Sequence, residues 1–148
     1  MKTVFLILAL LLAMGTAAPA ASADDTGALR VTIEGLRNND GVVRVALYNN
    51  SEGFPSQTAK ALSVVTIRPV ERRAVTIFND LPFGTYAVAV LHDENENGKV
   101  DTNFLGIPRE GVGASRDAPA TFGPPKYDDA AFPLNVPRRA IRIRLRYL

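Results

Sequence analysis

The chain has 148 residues, 17 basic and 15 acidic side chains, one His and a formal charge of +2. That length suits a single domain, and the basic excess is too mild to argue for nucleic acid. With no Cys there is no disulfide, thiolate metal site or lipid-modified cysteine, and a single His removes most zinc sites and most histidine-based triads.

In chain order, the first segment reads as a secretory signal peptide. Lys2 precedes a continuous apolar run at residues 4–14, and Ala21-Ser22-Ala23 fits a small-x-small cleavage site. The run is too short and wrongly flanked for a membrane span. Residues 1–23 are therefore assigned as a signal peptide and 24–148 as one exported domain, periplasmic or secreted, with no membrane span in the mature chain.

The mature chain then alternates. Leu29, Val31 and Ile33 share one face of a first strand opposite Arg30, Thr32 and Glu34. Asn38-Asn39-Asp40-Gly41 is a turn, and Val43, Val45 and Leu47 mark a second strand, expected antiparallel to the first. Gly53 and Pro55 break a loop, and residues 57–62 have room for a helical turn or two. Residues 62–67 and 74–78 are a third and a fourth strand, and residues 79–84 a turn. Residues 85–91 are apolar on both faces, which places that fifth strand centrally and deep. In residues 140–148, Ile141, Ile143, Leu145 and Tyr147 face in while Arg142, Arg144 and Arg146 face out. This last strand is expected to pair antiparallel. Its arginine row suits an anionic polymer or lipid headgroups, or is simply a wet strand face shielded by arginine stems. No sustained helical period is present. The pattern predicts an all-β antiparallel sandwich of about seven strands, one of them hidden in a long loop.

The stretch His92-Asp93-Glu94-Asn95-Glu96-Asn97-Gly98-Lys99-Val100-Asp101 leaves the fifth strand. Asp93, Asn95, Asn97 and Asp101 fall where a calcium loop carries its side-chain oxygens. Gly98 falls at its glycine and Lys99 at its backbone carbonyl. The twelfth position, normally a bidentate Glu, is Phe104. Glu110, Asp117, Asp128 and Asp129 are candidate replacements, of which Glu110 is nearest in sequence. The bland alternative is a turn, since Asn, Asp and Gly also favour turns without any metal. His92 either assists the loop or caps the strand end.

Residues 93–137 form a 45-residue stretch without a convincing strand or helix, far beyond the usual loop length. Phe104, Leu105, Ile107, Val112, Phe122, Tyr127, Phe132 and Leu134 are expected to bury and pin it over one end of the sandwich. Ser115 is not a nucleophile elbow, because Asp117 stands where Gly is required.

Two phrases carry a resemblance. Phe78-Asn79-Asp80-Leu81-Pro82-Phe83-Gly84-Thr85-Tyr86 is similar to the F-x-x-L-P-x-G-x-Y turn of transthyretin-like (prealbumin-like) sandwiches and carboxypeptidase regulatory domains. Residues 92–115, followed by Phe122-Gly123-Pro124-Pro125-Lys126-Tyr127-Asp128-Asp129-Ala130-Ala131-Phe132, resemble an exported bacterial family catalogued as domain of unknown function 2141. The chain departs from that family's pattern at Ala114 and Arg116, where an aromatic and an Asn are commoner. The resemblance implies a single β-sandwich behind a signal peptide, with no activity to carry over. The resulting expectation is an exported, non-enzymatic module. Calcium, held by Asp93, Asn95, Asn97, Lys99, Asp101 and Glu110, would order its covering loop for an unidentified ligand or protein partner. The alternatives are a carboxylate- or metal-dependent hydrolase and a metal-free structural module.

Overall fold

In a computed structural model, residues 25–148 are described; the signal-peptide assignment at 1–23 lies outside them. Eight strands form in chain order: β1 (Thr26–Glu34), β2 (Val42–Tyr48), β3 (Ser63–Ile67), β4 (Ala74–Pro82), β5 (Gly84–Asp93), β6 (Gly111–Ala114), β7 (Phe132–Leu134) and β8 (Arg138–Arg144). One four-residue α-helix, α1 (Tyr127–Ala130), precedes β7, and single 3-10 turns form at Thr58–Lys60, within the 57–62 stretch expected to hold a helical turn, and at Ser115–Asp117. One sheet has the order β4-β1-β8; the other runs β3-β2-β5-β6, with β7 also paired to β5. The all-β sandwich is therefore as expected. No helix among the described residues is long and apolar enough to cross a membrane.

The core lies between the sheets. Leu29, Val31 and Ile33 of β1 meet Val43, Val45 and Leu47 of β2, Val88 and Val90 of β5, and Ile143 of β8 in one buried cluster. Each such side chain contributes about 1.5–3 kcal/mol on full burial. Two pairings differ from expectation. β1 and β2 are not hydrogen-bonded neighbours; they sit in opposite sheets and pack face to face. The chain crosses between sheets through residues 35–41, bounded by Gly35 (φ 81°) and Gly41 (φ 62°). β8 pairs parallel to β1, Ala28 opposite Arg138 through Glu34 opposite Arg144, and not antiparallel. Alternation specifies which face is buried, but says nothing of a neighbour's direction. The inward and outward assignment holds along β8 and the residues just after it, with Ile143 and Leu145 buried and Arg142, Arg144 and Arg146 exposed.

β5 is central, as its two apolar faces require. Tyr86, Val88 and Val90 enter the main core. Ala87 and Ala89 point to the sheet's outer face, where Phe54, Tyr127 and Ala130 cover them. Its small outward residues leave room for those aromatic rings. Tyr86 also donates its hydroxyl to the Pro82 carbonyl at 2.7 Å, bracing the Phe78–Tyr86 phrase from within.

The excursion at 93–137 is not one cover over the sandwich end. It supplies two strands to the same edge of β5: β7 pairs along residues 84–86 and β6 along 89–92. Val88, which faces Leu47 of β2 on one side, has no ladder partner between them on this edge. Ser115, 1% exposed, fills the gap by accepting the Val88 N–H at 2.9 Å and donating to the Ala130 carbonyl at 2.7 Å. The glycines of β6 allow close packing of the chain's C-terminal end. A Cβ on Gly111 would stand 2.5 Å from the Tyr147 ring, and one on Gly113 2.9 Å from Ile143. Phe132 and Leu134 bury as expected, but Phe104, Leu105, Ile107 and Phe122 do not; Phe104 is 96% and Phe122 102% exposed. Edge strands from within the excursion, rather than its aromatic residues at large, anchor it.

Candidate functional site

The acidic loop begins where β5 ends. Pairing of Val42 with Asp93 and of Val43 with His92 holds the strand's last residues inside the sheet. Both side chains are consequently fully buried. His92 Nε2 lies 2.8 Å from the Asp40 carbonyl, which can only accept, so that nitrogen carries the proton. Nδ1 lies 2.7 Å from the Tyr147 hydroxyl, and the Tyr147 oxygen accepts the Arg37 N–H at 3.1 Å. His92 thus ties the strand end to two other segments and does not face the loop.

Asp93 closes the loop on itself. Its Oδ1 accepts the Asn97 N–H at 3.0 Å and its Oδ2 the Gly98 N–H at 2.8 Å. Arg44, projecting from β2, donates to Oδ2 at 2.9 Å and balances the buried charge. Gly98 has φ 78°, so the glycine serves the sharp turn expected of it. Asn95 Oδ1 accepts the Asn97 N–H and Asn97 Oδ1 the Lys99 N–H. The amide nitrogens of Asn95 and Asn97 therefore point the other way, onto the Asp101 carboxylate at 2.5 and 2.8 Å. Asp93 lies under this turn, while Asn95, Asn97 and Asp101 meet on its exposed side. Among the described residues no three Asp, Glu or His side chains are grouped as a metal cluster. The Lys99 side chain is exposed.

Glu110 is 4% exposed and bridges the two ends of the loop. Its Oε1 accepts the Glu94 N–H and its Oε2 the Asp101 N–H, each at 3.1 Å. Asp117, Asp128 and Asp129 take no part in this network: Asp117 follows β6, and Asp128 and Asp129 lie on α1. Four contributors are not apparent from the sequence. Arg44 is the one charged residue in the otherwise apolar β2, a pattern that signals a partner for a buried acid. Arg37 and Asn38 both grip Glu94, Arg37 Nε at 2.9 Å and Asn38 Nδ2 at 2.7 Å from Oε1. The Arg37 guanidinium, aided by Asn38, holds the Glu94 carboxyl below its usual range against the opposing effect of desolvation. The fourth is Asn103, whose side chain organises the segment between Asp101 and Glu110.

Residues 101–109 fold back as a small hairpin. Arg109 N–H donates to the Asp101 carbonyl at 2.8 Å, Asn103 N–H to the Ile107 carbonyl at 2.9 Å, and Thr102 bridges to Pro108. At the tip the Asn103 side-chain oxygen accepts the N–H groups of Leu105 (2.9 Å) and Ile107 (3.0 Å). The tip backbone is thereby satisfied internally, while Phe104 and Leu105 stand 96% and 68% exposed. Glu110 fixes the hairpin's base.

A family model described as an uncharacterized protein conserved in bacteria, DUF2141, matches residues 31–142. The chain belongs to the DUF2141 family. No curated protein and no solved structure matches it, so the prealbumin-like resemblance rests on the Phe78–Tyr86 phrase alone. The DUF2141 match runs from within β1 to within β8. It takes in the acidic loop, Glu110 and the whole hairpin.

Proposed function

We propose that this DUF2141 chain is an exported, non-enzymatic β-sandwich module. Its acidic loop takes calcium and so fixes the base of the 101–109 hairpin, which contacts the partner. The observation that carries this reading is the Asp101 carboxylate, met by Asn95 and Asn97 on the exposed side of a turn already closed by Asp93 and Gly98. Each Asn oxygen has a second lone pair beyond the N–H it accepts. A modest rotation of Asp101 and the two amides would turn those oxygens toward a cation. Asp93 and Glu110 are committed to backbone N–H groups, which leaves little acid–base capacity for the hydrolase alternative.

Few carboxylates in reach means weak binding, with Kd on the order of 10⁻⁴ to 10⁻³ M, as in extracellular modules. Calcium at about 100 times Kd would add roughly 2.7 kcal/mol of stability. Titration calorimetry and thermal melting with calcium, magnesium and chelator test this. Calcium should raise the melting temperature more than magnesium, and Asp101→Asn should remove the response without unfolding the chain. The metal-free structural module is favoured by a different fact: every buried side-chain nitrogen and oxygen among the described residues already has a hydrogen-bond partner. No heat and no melting shift at millimolar calcium would decide for it.

A further inference from the structure

The two sheets differ in how their outer faces are finished. The five-stranded sheet is covered by the chain itself, through Phe54, Tyr127 and the segment around Ala130. Among the described residues, the outer face of the β4-β1-β8 sheet is exposed at Arg30, Val75, Ile77, Ala140 and Arg142. Its register places Arg30 of β1 between Ile77 of β4 and Ala140 of β8, and Thr32 between Val75 and Arg142. Arg144 follows opposite Glu34, and Arg138 opposite Ala28. Arg30, Arg138, Arg142 and Arg144 are all exposed, and none is in an ion pair with a described residue. Two carboxylates, Glu34 and Asp117, line a hollow with Arg142, Arg144 and Arg146; Glu34 is engaged by Arg73 at 2.6 Å, so two acids stand beside five arginines on and around this face. On the same face Val75 and Ile77 are 41% and 48% exposed.

We propose that this face docks on an anionic phospholipid surface. Arginine forks match phosphate oxygens two at a time. Arg138, Arg142 and Arg144 stand in a row on β8, and Arg30 stands one strand spacing, about 4.8 Å, away on β1; Val75 and Ile77 lie beyond it on β4. A basic row flanked on the same face by exposed apolar side chains matches a headgroup plane better than a polymer chain, which would leave Val75 and Ile77 in water. Four arginines reach the number at which basic clusters hold to anionic membranes. Val75 and Ile77, one strand further over, would settle against the boundary between headgroups and acyl chains. The assignment is independent of calcium and of the acidic loop.

Residues 25–148 contain all eight strands and the whole core cluster, so this span serves for the test without the apolar N-terminal run. Co-sedimentation is measured with vesicles of phosphatidylcholine carrying phosphatidylglycerol and with phosphatidylcholine alone. Binding is expected only to the anionic vesicles and should weaken between about 0.1 and 1 M salt, as the screening length falls from roughly 10 to 3 Å. Arg142→Glu with Arg144→Glu should lower the partition coefficient about ten-fold or more. The milder pair Arg142→Gln with Arg144→Gln should lower it less, with melting unchanged, whereas Arg144→Glu faces Glu34 across the ladder and should lower the melting temperature of the reversal pair slightly. Lys60→Glu with Lys126→Glu carries the same charge change at exposed sites off the three-stranded sheet, and should leave binding within about two-fold. Equal loss in both reversal pairs would overturn the assignment by reducing it to net charge. So would no vesicle binding at all. Retention on dextran sulfate without vesicle binding would assign the face to a linear polyanion instead.

Discussion

The Ser115 hydroxyl joins β5 to the segment that leads into β7. It stands between β6 and β7, takes the Val88 N–H that neither strand reaches, and passes its own proton to the Ala130 carbonyl. Ser115→Ala would leave a buried donor and a buried acceptor without partners, a loss of about 1–3 kcal/mol. Urea unfolding of this variant should show a lower midpoint with an unchanged slope, since the surface exposed on unfolding is the same. A midpoint equal to the wild type would mean water takes over both bonds. The placement of Ser115 strains the residues after it: Arg116 and Asp117 hold φ of 59° and 49°, a region unfavourable for non-glycine side chains. Arg116 recovers one bond by donating to the Ala131 carbonyl at 3.0 Å.

The 101–109 hairpin is an element with no core of its own. Apart from its attachment through Glu110, it is held by its ladder and by the Asn103 side chain. Its stability is therefore local and separable from that of the sandwich. Asn103→Ala removes two hydrogen bonds at the tip, each contributing about 1 kcal/mol net. Cleavage by a chymotrypsin-like protease beside the exposed Phe104 should then quicken about ten-fold or more under native conditions. The thermal midpoint should hardly move, because β1, β2, β5 and β8 supply the core. If the cleavage rate is unchanged while the midpoint falls, the hairpin is coupled to the sandwich more tightly than its contacts indicate.

For the molecule as a whole, the ionisable groups that tie segments together set the pH range of stability. The Glu94 carboxyl is lowered in the folded state, chiefly by its hydrogen bond with Arg37. A lowered carboxyl contributes stability that is complete above its unfolded value near 4.5 and lost as pH falls through the folded value. All four tyrosines, Tyr48, Tyr86, Tyr127 and Tyr147, are raised above their usual value of 10.0, each chiefly by burial. A raised tyrosine contributes stability that is complete below its unfolded value and lost as pH rises through the folded one. Chemical denaturation across pH should give a plateau bounded by an acid limb below about pH 4.5 and an alkaline limb above about pH 10. Glu94→Gln should flatten the acid limb alone. An acid limb unchanged in that variant would assign it to other carboxylates.

The sequence by itself located six of the eight strands, their buried faces and the central place of β5, because alternation and two-faced apolarity are local consequences of the pleat; it read residues 79–84 as a turn, where β4 runs on to Pro82 and β5 begins at Gly84. It also marked the acidic turn: side chains at every second position and Gly98 were enough to specify the loop that Asp93 closes. Only the tertiary structure decided that β1 and β2 part into different sheets and that β8 runs parallel to β1, since partner and direction leave no trace in a strand's own pattern. β6 and β7 were illegible for a related reason. They have four and three residues, include glycine and proline, and hold as strands because the edge of β5 receives them. The exposure of Phe104 was equally beyond composition. An aromatic residue is apolar in any sequence, but whether the chain around it folds toward the core or caps itself depends on a neighbour such as Asn103. In the acidic loop, too, the spacing named the oxygens, but the packed chain decided their partners: Arg44 reaches Asp93 only across the β2–β5 pair, and Glu110 reaches Asp101 only because the hairpin folds back.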